Sequence, residues 1–404
     1  MKKIVLITAA LVFSTAVKAE TDLGLDAACN YNGTAITADY SWQGSEYVYC
    51  QLPAFIAVND EVKLAVDNAD DQPILWVMDG VVTVGNGYVE GANPATVDKT
   101  ELTIKAGARL AGASLRSALV ISRGASIYAS GRSTRPIIFS SLDDNFTGKG
   151  EWAGVVLAGF GESNDCGEEE CVIKTIGSGS YYYGGSNTQL SSGQMKYVVI
   201  AEAGSVTPNY PLGRGLQLNN GLSLYAVGSS TNITDIHIQG SLGDGVEFFG
   251  GDVRLNKAWL SCNLDDSVAW RYGYTGLVQN VNITQQFVAD SAFDLANNIR
   301  DNGATPESNG TVDSASIRFV DGLYVSEPLN LKYGTDGTFT NMVISGYAWQ
   351  RCTKEGSHLV ESGDFSTISY DCVNDNGLLP PSDSTAVGFS TDSFWTTEQG
   401  NPGC

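Results

Sequence analysis

Three aspartates are the residues whose type and spacing could do chemistry: Asp244, Asp265 and Asp266. Asp244 precedes the Asp265–Asp266 pair by 21 and 22 residues. If the chain returns on itself at that period, their carboxyl groups meet on neighbouring turns. One protonated and one ionised carboxyl roughly 6.5–9.5 Å apart is what inverting hydrolysis of a glycosidic bond requires. Clustered acids raise one another's proton affinity, as a general acid needs. The same residues have a plainer use. Aspartate before glycine or serine is a turn former, because its side chain accepts hydrogen bonds from the backbone ahead. That reading carries the greater weight, with catalysis and cation or ligand binding as alternatives.

The neighbours fit a saccharide-facing surface. Arg271 follows the acids closely, and Phe249, Tyr272 and Tyr274 are candidate stacking surfaces, while alternation assigns Phe248 and Trp270 to the core. His237 alternates with Ile236 and Ile238 and should point outward from a strand. With His358 as the only other histidine, metal and nucleophile chemistry have no partner set. No metal site or cofactor is expected. Ca²⁺ would suit the acidity, but no D-x-D-x-D-G loop or G-G-x-G-x-D array supports it.

Repeats supply the elements that would position these groups. Asp244-Gly-Val-Glu-Phe248 is followed by Asp266-Ser-Val-Ala-Trp270 and then by Asp290-Ser-Ala-Phe-Asp294. Strand-like stretches separate them, at 253–260 and 277–283. Residues 214–218 are expected to hold the same place 30 residues upstream of Asp244. Further upstream, 102–110 resembles 119–127 at an offset of 17. Short alternating strands at a period near 22, with 46 glycines for turns, predict an all-β chain: a right-handed parallel β-helix. In this arrangement Val246 stacks on Val268 and Phe248 on Trp270, with Glu247 and Ala269 facing out. Residues 74–347 form the solenoid. Residues 20–73 and 348–404 form disulfide-bearing caps over the open ends. Residues 142–194 read as loops projecting from one side, including the Tyr181–Tyr183 run.

The N-terminus reads as a secretory signal peptide over 1–19: Lys2 and Lys3, an apolar stretch over 4–17, and Val17-Lys18-Ala19 at the cleavage site. Export to the periplasm, the medium or the cell surface fits eight cysteines without a C-x-x-C pair, which read as disulfides. Proximity in sequence pairs Cys29 with Cys50, Cys166 with Cys171 and Cys352 with Cys372. Cys262 and Cys404 remain for each other. A net charge of −22 argues against nucleic acid and polyanionic partners. No later segment has the length of a transmembrane helix.

Two resemblances follow. Gly131-Arg-Ser-Thr-Arg-Pro-Ile-Ile-Phe-Ser-Ser141, Trp152-Ala-Gly-Val-Val-Leu157, Asp244-Gly-Val-Glu-Phe-Phe-Gly-Gly251 and Asp265-Asp-Ser-Val-Ala-Trp270 resemble a family of secreted bacterial right-handed β-helix proteins without an assigned activity. The likeness spans about residues 74–347 and implies the fold. The leading expectation is a secreted or surface β-helix, non-catalytic, that binds an extracellular polysaccharide or a cell-surface component. The stretches 242–248 and 263–270 are also similar to N-T-D-G-I-D-I and G-D-D-C-I-A-I of polygalacturonase-type glycoside hydrolases. That similarity implies Asp244, Asp265 and Asp266 as catalytic carboxylates. The chain departs from the pattern downstream. Residues 289–294 contain no histidine where those enzymes have G-H-G, and Ser316-Ile-Arg-Phe319 lacks the lysine of R-I-K.

Overall fold

The computed structural model describes residues 20–22, 29–31, 34–36, 47–57, 61–142, 148–166, 170–173, 181–206, 219–286, 289–320, 327–347, 353–355 and 368–370. The expected signal peptide, Cys352, Cys372, Cys404 and nearly all of the expected C-terminal cap lie outside them.

The described residues form a right-handed parallel β-helix with no helical element. Ten strands stack into one sheet and sixteen belong to a second, branched sheet. In the ten-stranded sheet, Val82, Leu119, Val155, Leu222, Val246, Val268, Phe293 and Leu329 succeed one another in register as one inward column. All eight are buried in a single continuous core. Val246 pairs with Val268 and Phe248 with Trp270, as the repeat predicts. Each coil therefore covers the apolar face of the last, which is what lets so long a chain grow around one narrow core.

The branched sheet carries two lanes that merge. In the first coils the lanes are separate strands, such as Glu101–Ile104 and Arg109–Gly112. From Gly193–Ala201 onward one long strand serves both. The bend inside it is a single left-handed residue per coil: Tyr197, Asp235, Lys257, Asn280, Ser314 and Asn341, with φ between 50° and 63°. These positions are skipped in the strand registers. A one-residue left-handed bend turns the chain onto a new face without interrupting the stack. Polar side chains help to hold it, as where Asn280 Nδ2 donates to Asn256 Oδ1 at 2.8 Å.

Several expectations need correction. The 17-residue similarity of 102–110 and 119–127 relates strands on different faces of the solenoid and not stacked partners. The stacked partner of Leu102 is Ile127, and that of Leu110 is Phe139. The strand beneath Val246–Phe249 is Leu222–Tyr225, whereas residues 214–218 lie outside the described region. The third repeat slips by one residue. Phe293 stacks on Val268, so Ser291, not Asp290, continues the corner of Asp266. A large apolar ring is needed to fill the core column there, while Asp290 stays exposed. Parallel stacking begins well before residue 74, since Val48–Gln51 already pairs with Ile74–Met78.

Cys29–Cys50 and Cys166–Cys171 are disulfides, as expected from their proximity. Cys262 is also disulfide-bonded. No helix among the described residues is long and apolar enough to cross a membrane.

Candidate functional site

The outer face of the ten-stranded sheet changes character along the stack. Its early coils present Val120, Val156 and Ala158, and these are covered by Cys166, Cys171, Ile173, Tyr181 and Tyr183 from the described parts of the projecting segment. That segment contains an antiparallel hairpin of Cys171–Ile173 and Tyr181–Tyr183. Tyr183 packs on Tyr225 with ring centroids 4.9 Å apart, and Tyr181 Oη lies 3.1 Å from Thr83 Oγ1. Arg123, fully buried, pins the segment down. Its guanidinium donates to Glu170 Oε1 at 2.8 Å and to the carbonyls of Gly87, Val89 and Gly184. The tyrosine run is thus a lid over apolar strands, and the irregular stretch has a defined job.

The later coils present charge instead. Ser223, Glu247, Ala269, Asp294 and Asn330 follow one another on the outward row. The neighbouring row runs Tyr225, Phe249 and Arg271. Ala269 contributes only a methyl group, and the Arg271 side chain pairs with Glu247 and reaches within 3.9 Å of Asp294. Lys332 Nζ closes on Asp294 Oδ1 at 2.8 Å, and Asn330 Nδ2 donates to the same oxygen at 2.7 Å. Burial works against the charge of Arg271, but the carboxylates of Glu247, Asp294 and Asp244 outweigh it and hold the guanidinium protonated.

Asp244, Asp265 and Asp266 do come together, each offering a carboxylate oxygen within 4.8 Å of the others. Their roles differ. Asp244 Oδ1 accepts the Asp266 N–H at 3.0 Å, and Asp266 Oδ1 accepts the Ser291 N–H at 2.8 Å. One coil below, Asn220 Oδ1 accepts the Asp244 N–H at 3.0 Å. Asn220, Asp244, Asp266 and Ser291 are a ladder in which each of the first three side chains accepts an N–H from the backbone of the next coil. Asp244 and Asp266 are buried, 4% and 6% exposed. Burial first, then neighbouring carboxylates, raises both well above the ordinary aspartate range. Asp265 lies outside the ladder and is half-buried. Burial, then Asp290 and Glu247, push it up to about 6.

The remaining candidates divide. Arg271 and Phe249 lie on the outward face, and Phe249 stacks on Tyr225 at 4.0 Å. Tyr272 is half-buried at the corner beyond, 6.2 Å from Phe249 by ring centroids. Tyr274 is not a surface residue. It is fully buried, stacked on Phe248 at 4.3 Å, and its hydroxyl donates to the Val253 carbonyl at 2.9 Å. Alternation fails there because Tyr272, with φ of 58°, and Gly273 turn the chain inward. His237 does leave its strand on the outward side, yet it is fully buried and stacked on Trp259 at 4.9 Å. Burial lowers it to about 3, so it stays neutral. Sequence reading missed Glu247, Asp294, Asn330 and Lys332. The outward position three residues after each corner residue, Glu247, Ala269 and Asp294 in successive coils, was the available signal.

As a metal site, the three aspartates offer few free oxygens. Ca²⁺ takes six to eight oxygen ligands, and two of the six carboxylate oxygens here already accept N–H groups. As an acid–base set, they bring oxygens within 4.8 Å of one another, with one oxygen of Asp244 and one of Asp266 already accepting an N–H group.

Residues 81–372 match the family described as pectate-lyase-like beta helix domain. The chain belongs to this family. Comparisons with curated proteins and with solved structures find no match.

Proposed function

We propose that this chain is a secreted, non-catalytic β-helix that binds an extracellular saccharide along the later coils of its ten-stranded sheet. The observation that carries the reading is a pair of outward rows in which the partly exposed Arg271, Asn330 and Lys332 side chains stand over buried Glu247 and Asp294, beside the Phe249 ring. Guanidinium, amide and ammonium groups held in place by buried carboxylates suit a lattice of sugar hydroxyls, and an aromatic ring suits a sugar face. The ladder weighs against catalysis, because it commits Asp244 and Asp266 to the backbone. Affinity electrophoresis against neutral, cationic and anionic polysaccharides tests the proposal. The wild type should be retarded by at least one, and Phe249→Ala combined with Asn330→Ala should abolish the retardation. No retardation in any gel would remove the saccharide reading.

A glycoside hydrolase stays as the second reading because of Asp265. A half-buried carboxyl with a pKa of about 6 beside further acids has the proton affinity of a general acid. Release of reducing ends by the wild type but not by Asp265→Asn would establish it. Activity unchanged in Asp265→Asn and Asp266→Asn would discard these residues as the catalytic pair.

A further inference from the structure

Beyond the sheet face, the chain builds a cavity of about 650 Å³ from two loops. One wall is Asn164, Asp165 and Cys166; the other is Asn298, Arg300 and Asp301. The volume falls within the roughly 300–1,000 Å³ common for small-ligand sites.

The walls are held before any ligand arrives. Asn164 Nδ2 donates to Asn297 Oδ1 and to the Pro306 carbonyl, both at 2.7 Å. Asn298 Nδ2 returns to the Asn164 carbonyl at 2.9 Å. Asp165 pairs with Arg300 and accepts from Tyr183 Oη at 3.0 Å. The Cys166–Cys171 disulfide closes the loop on the first side. A preformed cavity spends little binding energy on ordering.

Its charge discriminates. Arg300 answers Asp165, and Arg123 answers Glu170. Asp301 is exposed, and its Oδ1 accepts the Gly303 N–H at 3.1 Å. The described lining thus carries a surplus of negative charge on a chain of net −22. Uronate carboxylates would be repelled, whereas hydroxyls and ammonium groups find acceptors. Aromatic rings lead to the cavity from the sheet. Arg300 lies over one face of the half-buried Tyr272 ring at 5.9 Å, and the partly buried Phe249 continues the row toward the sheet.

We infer that this cavity binds one end of an uncharged or amino-sugar glycan, with the following units lying over Tyr272 and Phe249. The inference rests on the saccharide reading above and adds the ligand class: an anionic polyuronate is excluded. The test is calorimetry on the whole mature chain with cellohexaose, a chitosan hexamer and hexagalacturonate. Cellohexaose or the chitosan hexamer should bind at least about tenfold tighter than hexagalacturonate, a difference set by charge. Ala304→Trp, which fills the cavity, should weaken the better ligand by about tenfold or more. Asp301→Lys, an exposed change checked by its unaltered melt, should weaken the chitosan hexamer and strengthen hexagalacturonate. Tightest binding of hexagalacturonate overturns the inference, and so does indifference to both variants. If no oligosaccharide binds the wild type, the saccharide reading falls with it. If binding survives in Ala304→Trp and Asp301→Lys but is lost in Phe249→Ala, only the cavity falls.

Discussion

The two corners that flank the ten-stranded sheet use polar residues in opposite ways. The corner before it repeats in register. Asn220, Asp244, Asp266 and Ser291 stand one above another, and the first three side chains accept an N–H from the coil that follows. The corner after it turns on left-handed residues, Ala226, Gly250, Tyr272 and Tyr333, and the chain there runs out into the 163–166 and 298–305 segments. Polar groups that stack in register are consumed by the stack. Polar groups on segments that leave the register can face solvent and a ligand. The aspartates with the most catalytic look in sequence thus belong to the first corner, and the cavity belongs to the second.

Breaking the ladder should have the largest effect on stability. Asp266→Ala leaves the buried Ser291 N–H without its acceptor, and Asp244→Ala does the same to Asp266. Each should cost about 1–3 kcal/mol in urea denaturation, the usual penalty for a stranded buried donor. Asparagine keeps Oδ1 and removes only the acid, so Asp244→Asn and Asp266→Asn should cost clearly less. Equal damage from alanine and asparagine would mean that charge, not the acceptor, is what this corner needs.

The acidity of the same corner should appear in the pH profile. Asp244, Asp265 and Asp266 hold their protons more tightly folded than the ordinary value of 3.8. The folded state then binds more protons than the unfolded one, so stability falls as pH rises. For Asp265 the loss runs from about 4 through about 6; for the two buried residues it continues higher. Glu170 and Asp313 are shifted the other way, so the difference between variants is the readout. Melts between pH 4.5 and 8 should show a flatter decline for Asp265→Asn than for wild type. Millimolar Ca²⁺ that restored the wild type at pH 8, but not Asp265→Asn, would show that the three carboxylates exchange protons for a cation.

Much of the inward side was legible in the sequence, because burial imposes a strict period there. Val246 on Val268 and Phe248 on Trp270 follow from alternation alone. The slip at Phe293 and the strand at Leu222 were hidden because coil length varies; only the packed column reveals which apolar residue fills each layer. Tyr274 was misplaced because a left-handed residue, invisible to alternation, precedes it. Glu247 was legible as outward and Asp294 was not, since its meaning depends on Lys332 and Arg271 arriving from other coils. The cavity was beyond reach altogether. Its walls join residues more than 130 apart in sequence, such as Asn164 with Asn298, and no repeat connects them.

Arg300 gives the smallest stability effect and the cleanest contrast with the ladder. Its side chain is 55% exposed, and its ion pair with Asp165 sits at the cavity mouth. The Asp165 carboxylate is only 9% exposed but keeps the Tyr183 hydroxyl as a partner, and solvent screening at the exposed Arg300 end holds the pair to about 1 kcal/mol. Arg300→Ala should therefore leave the urea midpoint nearly unchanged. It should nevertheless alter oligosaccharide affinity, since it unpairs Asp165 and uncovers the Tyr272 ring beside the cavity. Asp266→Ala should do the reverse, lowering the midpoint and leaving affinity alone. Should Arg300→Ala destabilise the fold as much as Asp266→Ala, the second corner would be as structural as the first, and the division of labour between them would not hold.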